Sequence, residues 1–334
     1  MEKQNGQKKN NYNLYKLRCI KSLVILGLIA IAVTSNAQLK WVNVDQQYQP
    51  LPASVHVFYT ADSINGKPNH AYYVSADLKD KHLLFETQAT DGKRSTPSQF
   101  YTSESQPLLV MNCSFFEFKY NTNVSLIIKD GQQVAYTVSS IPRKGKDTFT
   151  YLHPVSGAIG ITKKRKADVA WVLSDSTAKY PWAIQTPIKP VLDSMAQTNI
   201  PSILAKAPFK PWKMQSASAG GPVLLQDGKV VISNNEEMKF AGKAIADKHP
   251  RTAMGYTPQG QIIYLVVEGR FPGKSEGATL PELAVMLKDI GCLEALNLDG
   301  GGSSALLVNG KPTITPSDKE GERPVPAVMI IKQK

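Results

Sequence analysis

Cysteine is scarce in this 334-residue sequence, and no apolar run in it is long enough for a membrane helix. The two cysteines beyond residue 37, Cys113 and Cys292, are far apart and do not have the spacing of a metal site. They are either buried thiols or one disulfide. The uncharged apolar run at residues 22–33 is shorter than the about 20 residues that span a bilayer.

Motifs for nucleotide binding and for serine hydrolases are also missing. No Gly-rich segment carries the Lys-Ser/Thr of a P-loop, and none has the G-x-G-x-x-G spacing that opens a helix. The segment around Ser303 resembles a nucleophile elbow but ends in Ala305 and leads into a β-rich stretch. All five histidines precede Ser303, which excludes the chain order Ser, Asp/Glu, His but leaves other triad orders open.

The first 37 residues read as a signal peptide. Basic residues up to Lys21 precede the apolar run, and Ser35-Asn36-Ala37 predicts cleavage before Gln38. We therefore expect a secreted or periplasmic protein without a stable membrane span after cleavage, and an uncleaved anchor is the alternative. Cys19 precedes the apolar run, which argues against a lipid anchor.

The positive charge does not indicate nucleic acid as a partner. Removal of six basic residues and one acidic residue with residues 1–37 lowers the formal net charge from +12 to +7. The remaining lysines and arginines are scattered apart from the run at residues 163–166, which we interpret as a solvated loop. We expect no nucleic-acid binding.

Turn signals predict an α+β fold with a mixed, largely antiparallel sheet, several hairpins and a few packed helices. Asn-Gly and Asp-Gly pairs tolerate the positive φ of tight hairpin turns. Four hairpins are predicted, with turns at residues 130–131, 227–228, 257–260 and 309–310. Further β-rich runs lie at residues 55–59, 71–75, 82–86, 108–111, 158–161 and 169–173.

One helix has clear start and stop signals. Thr279 and Glu282 form a capping box, apolar residues follow at helical spacing, and Gly291 supplies a left-handed stop. Residues 163–218 are rich in proline and are predicted to be a covering insertion with one short helix. We expect one domain after the signal peptide, with residues 38–105 as its N-terminal portion and 106–334 as its main body.

The most informative segment is Asn297-Leu-Asp299-Gly-Gly-Gly-Ser303-Ser304. Glycine costs up to about 1 kcal/mol of backbone entropy in a regular element, so three in a row indicate unusual dihedrals or a close approach to a ligand. Their N–H groups could hold a phosphate. A flexible turn is the alternative.

A hairpin just upstream brings further polar residues together. Arg251 and Thr252 lie on one arm and Glu268 at the end of the other, so Arg251 or Thr252 could face Glu268. Arginine suits phosphate because its planar fork donates two parallel hydrogen bonds. A structural Arg251–Glu268 ion pair is the alternative.

The motifs NCSFF at 112–116, GGPVLL at 220–225, HPRTAMG at 249–255, VVEGR at 266–270 and NLDGGGSSAL at 297–306, with the helix start at Thr279, resemble the phosphodiester glycosidase family over residues 108–331. The resemblance implies hydrolysis of a sugar from a phosphodiester. It implies Asp299 and Glu268 as catalytic residues, and as substrate-binding residues Asn112, Arg251, Thr252, Asn297, Gly300, Gly301, Gly302 and Ser303. Cys113 and Glu268 depart from the glycine and aspartate common in the family.

The expected function is therefore that of an exported hydrolase, a glycosidase for sugar phosphodiesters. A noncatalytic glycan-binding envelope protein and a phosphodiesterase that cuts the P–O bond are the alternatives. A divalent cation bridging Asp299, Glu268 and phosphate is conceivable because oxygen ligands suit calcium and magnesium, but the sequence identifies no cofactor.

Overall fold

Antiparallel pairing organises the residues that the computed structural model describes, which are 38–334 apart from 91, 139 and 144–148. Every strand pair in this part of the chain is antiparallel, and sheet dominates over helix. The predicted signal peptide lies outside the described residues. Leu39–Lys334 form one compact unit, which includes the N-terminal portion.

The four predicted hairpins are confirmed. At each of the Asp130-Gly131, Asp227-Gly228 and Asn309-Gly310 turns, both residues have positive φ, between 49° and 77°. Two consecutive positive φ values match the right-handed twist of the flanking strands, which explains the Asp/Asn-Gly pairs. The fourth hairpin pairs Arg251–Tyr256 with Gln261–Val267.

The largest sheet in the described part of the chain has eight strands and carries that fourth hairpin at its centre. In spatial order its strands are Val42–Asn43, Val55–Thr60, Ala71–Asp77, Gln261–Val267, Arg251–Tyr256, Glu294–Asn297, Val223–Gln226 and Lys229–Val230.

A seven-stranded sheet contains much of the proline-rich segment 163–218. Its strands, in spatial order among the described residues, are Lys210–Pro211, Trp182–Ile184, Ala167–Leu173, Ser156–Ile161, Ser216–Ala219, Ile127–Lys129 and Gln132–Ala135. The segment therefore contributes strands to a sheet as well as the predicted short helix, Ile200–Leu204.

A five-stranded sheet holds the C-terminal strand between two strands from residues 83–112. Its spatial order is Lys311–Pro312, Leu306–Val308, Leu109–Asn112, Ala327–Gln333 and Leu83–Ala89. Smaller sheets among the described residues pair Ile141–Pro142, Tyr151–His153 and Val191–Asp193, and Phe116–Glu117 with Thr122–Asn123.

The main core lies where these three large sheets meet. Met254 and Tyr264 from the eight-stranded sheet, Ile159 from the seven-stranded sheet, and Met111 and Met329 from the five-stranded sheet belong to one buried cluster. Alternate residues of a strand point to opposite faces. Ala253 accordingly points away from this core, toward a helix on the outer face of the eight-stranded sheet.

That helix is Leu280–Ile290, and its predicted caps are confirmed. Thr279 and Glu282 form the capping box, and Gly291 ends the helix with φ 97°. Its leucines at 280, 283 and 287 are fully buried against the sheet. Each contributes roughly 1.5–3 kcal/mol by burial.

The other helical segments are short. The α-helices are Pro97–Ser103 and Asn234–Glu237, and the 3-10 helices are Asp45–Gln47, Ala244–Ala246 and Gly301–Ser303. In the described part of the chain, no helix has the length and apolar character needed to cross a bilayer. Cys113 and Cys292 are free, buried thiols in two different core clusters, so they do not form a disulfide.

Candidate functional site

The glycine-rich segment crosses from the eight-stranded sheet to the five-stranded sheet, and Asp299 lies at the crossing. The strand Glu294–Asn297 ends just before it, and the Leu298 N–H donates to the Thr252 carbonyl of the neighbouring strand. The Asp299 N–H then donates to the Cys113 carbonyl, 3.0 Å away, at the end of the strand Leu109–Asn112. The chain continues into Leu306–Val308 of the five-stranded sheet.

Each of the three glycines occupies a place that a side chain would disturb. A Cβ at Gly300 would lie 2.9 Å from the Pro250 carbonyl oxygen. Gly301 has φ 62°, and a Cβ there would lie 3.0 Å from the Arg270 guanidinium. A Cβ at Gly302 would run into the side chains of Arg323 and Asp318. The glycines therefore allow close approach, and the segment is more than a flexible turn.

The N–H groups of these glycines are not equivalent. The Gly301 N–H donates to the Pro250 carbonyl at 2.8 Å, and the Gly300 N–H donates to the Asp299 carboxylate. Among the described residues, the Gly302 N–H has no hydrogen-bond acceptor. It is therefore the one glycine N–H of the loop that the described residues do not use, although Gly302 is buried.

Asn112 ties this loop to the two sheets. Its amide Nδ2 donates to the Asp299 carbonyl at 2.6 Å. Its Oδ1 accepts from the Thr252 hydroxyl at 2.9 Å and from the Ala305 N–H at 3.0 Å. Asn112 and Thr252 are fully buried. The polar atoms on both sides of Asp299 are thus positioned by one amide side chain.

Asn297 fixes the other side of the loop. Its Nδ2 donates to the Gly221 carbonyl at 2.8 Å, and the Gly221 N–H donates back to the Asn297 carbonyl at 2.7 Å. In the described part of the chain, the buried Asn297 Oδ1 and Ser304 Oγ have no hydrogen-bond partner. Buried polar atoms without partners cost free energy unless water or a bound molecule satisfies them.

The Asp299 carboxyl is set up for proton transfer near neutral pH. Desolvation raises its pKa to about 7, although the Ser303 hydroxyl, the Arg323 charge and the Gly300 N–H each favour the charged form. The residue as a whole is partly exposed. A carboxyl with a pKa near the working pH, surrounded by donors, is suited to general acid or base chemistry.

Two arginines lie over the loop, and neither was among the residues proposed from the sequence. Arg323 pairs with Asp318 at 2.7 Å, and its guanidinium donates to the Ser303 hydroxyl at 3.4 Å. The Arg270 guanidinium lies against Gly301 and reaches the Ser317 hydroxyl at 3.5 Å. Among the described residues, Arg270 forms no ion pair.

Glu268 lies on the other side of the strand Arg251–Tyr256 from the glycine loop. One carboxylate oxygen accepts from the Thr315 N–H at 2.8 Å, and the other lies 3.3 Å from His70 Nδ1. Glu268 is buried, the carboxylate oxygen nearest His70 has no hydrogen-bond partner among the described residues, and Glu268 forms no ion pair with Arg251 there. One segment, residues 313–325, contributes Thr315, Ser317, Asp318 and Arg323. It therefore contacts both Glu268 and the loop that carries Asp299.

Arg251 has its own partners on the helix side of the sheet. Its Nε donates to the Ala278 carbonyl at 2.8 Å and an Nη donates to the Asp247 carbonyl at 2.7 Å. The side chain is buried, and burial lowers its pKa to about 10. The sequence therefore located Arg251 beside the loop correctly, but its bonds brace the backbone before the strand.

Asn112, Thr252, Asn297, Asp299, the three glycines and Ser303 thus meet around one crossing, and Glu268 lies beyond the intervening strand. Arg270 belongs to the motif VVEGR at 266–270. Arg323 belongs to the segment Gly-Glu-Arg-Pro, whose composition is typical of solvated loops. No periodicity marked Arg323 as a site residue. Among the described residues, no group of three or more His, Cys, Asp or Glu is arranged to hold a metal ion.

Residues 105–332 match the family model for phosphodiester glycosidases. Phosphodiester glycosidases are hydrolases. Because the match covers more than half of the chain, the chain belongs to the phosphodiester glycosidase family. The resemblance inferred from the motifs is confirmed.

Relatives match shorter stretches. The N-acetylglucosamine-1-phosphodiester alpha-N-acetylglucosaminidase of Homo sapiens is 37% identical over 103 residues, and that of Mus musculus is 30% identical over 103 residues. Each match covers 28% of this chain and 20% of the relative. An uncharacterized prophage-derived protein of Bacillus subtilis, YomE, is 41% identical over 64 residues, 19% of this chain and 10% of its own length.

Solved structures extend the likeness in fold. The catalytic domain of the zebrafish N-acetylglucosamine-1-phosphodiester alpha-N-acetylglucosaminidase, auto-inhibited by its pro-peptide, has a TM-score of 0.57 at 18% identity and covers 89% of both chains. A hypothetical protein from Synechocystis has a TM-score of 0.59 at 13% identity, covering 88% of this chain and 64% of its own. At these identities the likeness shows the fold alone.

Proposed function

We propose that this protein is exported and hydrolyses the glycosidic bond of sugar phosphodiesters, with Asp299 as the reacting carboxylate. The observation that carries the proposal is the Asp299 carboxyl, whose pKa is raised to about 7 beside the Arg323 charge. It lies on a loop whose Gly301 is next to the Arg270 guanidinium and whose Gly302 N–H has no acceptor among the described residues. A reacting carboxylate and phosphate-binding donors then share one loop.

The donors would hold the phosphate while the sugar–oxygen bond breaks. Planar guanidinium groups bind phosphate oxygens in pairs, and a backbone N–H adds a fixed dipole. We assign this role to Arg270, Arg323 and the Gly302 N–H. Because a phosphate is already a good leaving group, breaking the bond between the sugar carbon and the phosphate oxygen needs little help from a general acid.

Asp299 would act on the sugar carbon, either as the base that takes a proton from water or as the nucleophile itself. In the first case water adds to the sugar carbon, the water proton moves to Asp299, and the phosphate leaves on its carrier. The configuration at the sugar carbon is then inverted. In the second case a glycosyl–Asp299 ester forms and water then hydrolyses it, with retained configuration. Glu268, held by the Thr315 N–H, has a supporting role in orienting the sugar or in proton transfer.

The substrate class follows from the family and from the names of relatives. The mammalian relatives are named for N-acetylglucosamine-1-phosphodiesters. We propose an alpha-linked sugar-1-phosphodiester as the substrate class for this chain. Export is supported by the apolar run and the Ser35-Asn36-Ala37 site, and sequencing the N-terminus of protein secreted from the producing cell tests cleavage before Gln38.

The decisive experiment is a screen of the purified mature protein against sugar-1-phosphodiesters, followed by reaction in oxygen-18 water. We expect sugar release with the label in the sugar, because the sugar–oxygen bond breaks. Label in the phosphate would instead identify a phosphodiesterase that cuts the P–O bond. Binding of glycans without turnover of any phosphodiester would favour the noncatalytic envelope protein.

Asp299→Asn tests the assigned residue. We expect kcat to fall by about 10²–10⁴, the contribution typical of a positioned acid or base. Asp130→Asn, the same change in an exposed hairpin turn, is the matched control and should retain activity. Unchanged turnover in Asp299→Asn would refute the assignment.

A further inference from the structure

A cavity of about 360 Å³ adjoins the site and has no role in the mechanism above. Most of its walls are apolar, and they include Phe115, Val138, Ile141, Val155 and Phe240. The rings of Phe115 and Phe240 lie 6.3 Å apart in an edge-to-face arrangement. Concave, largely apolar cavities with a few convergent polar groups are the usual form of small-molecule sites.

The convergent polar groups here are Lys239 and Ser156. The Lys239 ammonium donates to the Ser156 hydroxyl at 2.5 Å and lies 5.8 Å from the Phe115 ring. An ammonium has three donors, and the described residues supply no other hydrogen bond to it. Desolvation lowers the pKa of Lys239, so the protein holds this cation at a cost.

The acidic neighbour of Lys239 is already occupied. The buried Glu237 carboxylate accepts from the Gly157 N–H, the Val223 N–H, the Ser233 hydroxyl and the Trp171 indole. Its charge stabilises the ammonium through space, but no Glu237–Lys239 ion pair occurs within 4.0 Å in the described part of the chain. The Ser156 hydroxyl is thus the one hydrogen-bond acceptor that the described residues supply to this partly exposed ammonium.

Two wall residues of the cavity, Phe115 and Lys239, connect to the glycine loop through the neighbouring residues Cys113 and Gly221. Phe115 lies two residues after Cys113, whose carbonyl accepts the Asp299 N–H. The aliphatic chain of Lys239 packs so closely against Gly221 that a Cβ there would lie 2.7 Å from Lys239 Cε. Gly221 in turn accepts from the Asn297 amide. Cys113 and Gly221 thus lie between the cavity and the loop residues Asp299 and Asn297.

We propose that this cavity binds the carrier side of the phosphodiester and selects carriers in which an apolar or aromatic group bears a second anion. The inference rests on the proposed function. The apolar walls accept the body of the carrier, and Lys239 with Ser156 binds its carboxylate or phosphate by charge-assisted hydrogen bonds. A carrier that lacks either part makes only half of these contacts.

Three synthetic substrates test the proposal, with one sugar-1-phosphate esterified to methyl, benzyl or 4-carboxybenzyl alcohol. For the wild-type protein we expect kcat/KM to be about tenfold higher for the carboxybenzyl than for the benzyl ester, because only the former has an anion for Lys239. In Lys239→Met this ratio should fall to about one. Lys213→Met is the same change at an exposed lysine that does not line the cavity, and it should keep the wild-type ratio.

The ratio separates binding from folding, since a merely structural effect of Lys239→Met lowers kcat/KM for both esters in parallel. Calorimetric binding of 4-carboxybenzyl phosphate supplies a readout without turnover and should weaken about tenfold in Lys239→Met. Equal kcat/KM for the two esters in the wild-type protein, or a ratio that persists in Lys239→Met, would overturn the subsite. Cleavage of none of the three esters would instead count against the proposed function, and the calorimetry would still decide the subsite.

Discussion

The side-chain amide of Asn112 donates to the backbone carbonyl of Asp299 at 2.6 Å, across 187 residues of sequence. The Oδ1 of the same side chain accepts from Thr252 and Ala305, and the side chain is buried. The position of the reacting carboxylate therefore depends on an amide that never needs to touch the substrate.

Replacing this amide by a carboxylate, in Asn112→Asp, tests that dependence. The new group cannot donate to the Asp299 carbonyl, and its charge beside Asp299 should raise the pKa of the Asp299 carboxyl further. We expect the pH at which kcat is half-maximal to rise by about one unit and the free energy of unfolding to fall by roughly 2–4 kcal/mol.

Asn309→Asp is the matched control for this variant. Asn309 also donates to two carbonyls, those of Tyr48 and Pro50, but it lies in a hairpin turn remote from the loop. It should lose stability and leave the pH profile of kcat in place. A profile that does not move in Asn112→Asp would show that Asn112 has no electrostatic influence on Asp299.

The pH dependence of turnover follows from the raised pKa of Asp299. As a base or nucleophile the carboxyl must be deprotonated, so kcat should rise with pH and reach half its plateau near pH 7. Steady-state rates measured from pH 5 to pH 9 give the profile. A kcat that falls as pH rises through 7 would mean that Asp299 acts in its protonated form.

The same carboxyl should also make the free energy of unfolding depend on pH, but this quantity should fall as pH rises, whereas kcat rises. Between pH 3.8 and about 7 the folded protein holds a proton on Asp299 that the unfolded chain has released, so the free energy of unfolding falls as pH rises. Asp299→Asn removes that charge and should stabilise the protein at pH 8 by roughly 1–3 kcal/mol.

Guanidinium denaturation at pH 8 and at pH 5 measures this difference. The stabilisation by Asp299→Asn should be smaller at pH 5, where the folded wild-type carboxyl is protonated. In Asp130→Asn any difference from the wild type should be the same at both pH values. Lower stability of Asp299→Asn at pH 8 would mean that its lost hydrogen bonds outweigh the desolvation of the charge.

Gly301→Ala separates backbone strain from disturbance of the site. Gly301 and Gly228 both have positive φ, 62° and 71°, so an alanine should cost about 1–2 kcal/mol of stability at either position. Only at Gly301 does the new methyl group meet the Arg270 guanidinium. We expect kcat/KM to fall by about tenfold or more in Gly301→Ala alone, because displaced phosphate donors weaken transition-state binding. Equal activity in the two variants would remove Arg270 from the site.

Replacement by lysine should have different effects at Arg323 and at Arg251. Arg323→Lys keeps the charge but loses the planar fork, so kcat/KM for phosphodiesters should fall by about 10–100-fold. Arg251→Lys loses bonds to the Asp247 and Ala278 carbonyls, so its main effect should be a lower free energy of unfolding. If Arg251→Lys instead reduces kcat/KM as strongly without loss of stability, the phosphate contact belongs to Arg251.

Local chemistry explains which parts of the fold could be predicted from the sequence. Asp-Gly and Asn-Gly pairs specify their turns within four residues, and the capping box at Thr279 specifies its helix start in the same way. Within residues 163–218 the strand Ala167–Leu173 was predicted, but its pairing with Ser156–Ile161 and with Trp182–Ile184 depends on contacts that no short-range pattern encodes.

The site was predictable to the extent that its residues lie in motifs. Asn112, Asn297 and Asp299 were recognised, and they meet. The alternative of an Arg251–Glu268 ion pair was wrong, because the Arg251 guanidinium donates to the Ala278 and Asp247 carbonyls, whereas Glu268 accepts from the Thr315 N–H. Arg323 was missed because its role depends on how residues 313–325 fold back over the loop.

The crossing of the glycine loop between two sheets also links activity to the order of folding. Asp299 is positioned only when Thr252 of one sheet and Cys113 of the other are both in place, and closing loops of this length is entropically costly. A chain with only one sheet formed would have no reacting carboxylate in position. During refolding from denaturant, enzymatic activity should therefore return no earlier than the last phase seen by tryptophan fluorescence, which makes turnover a reporter of completed tertiary structure.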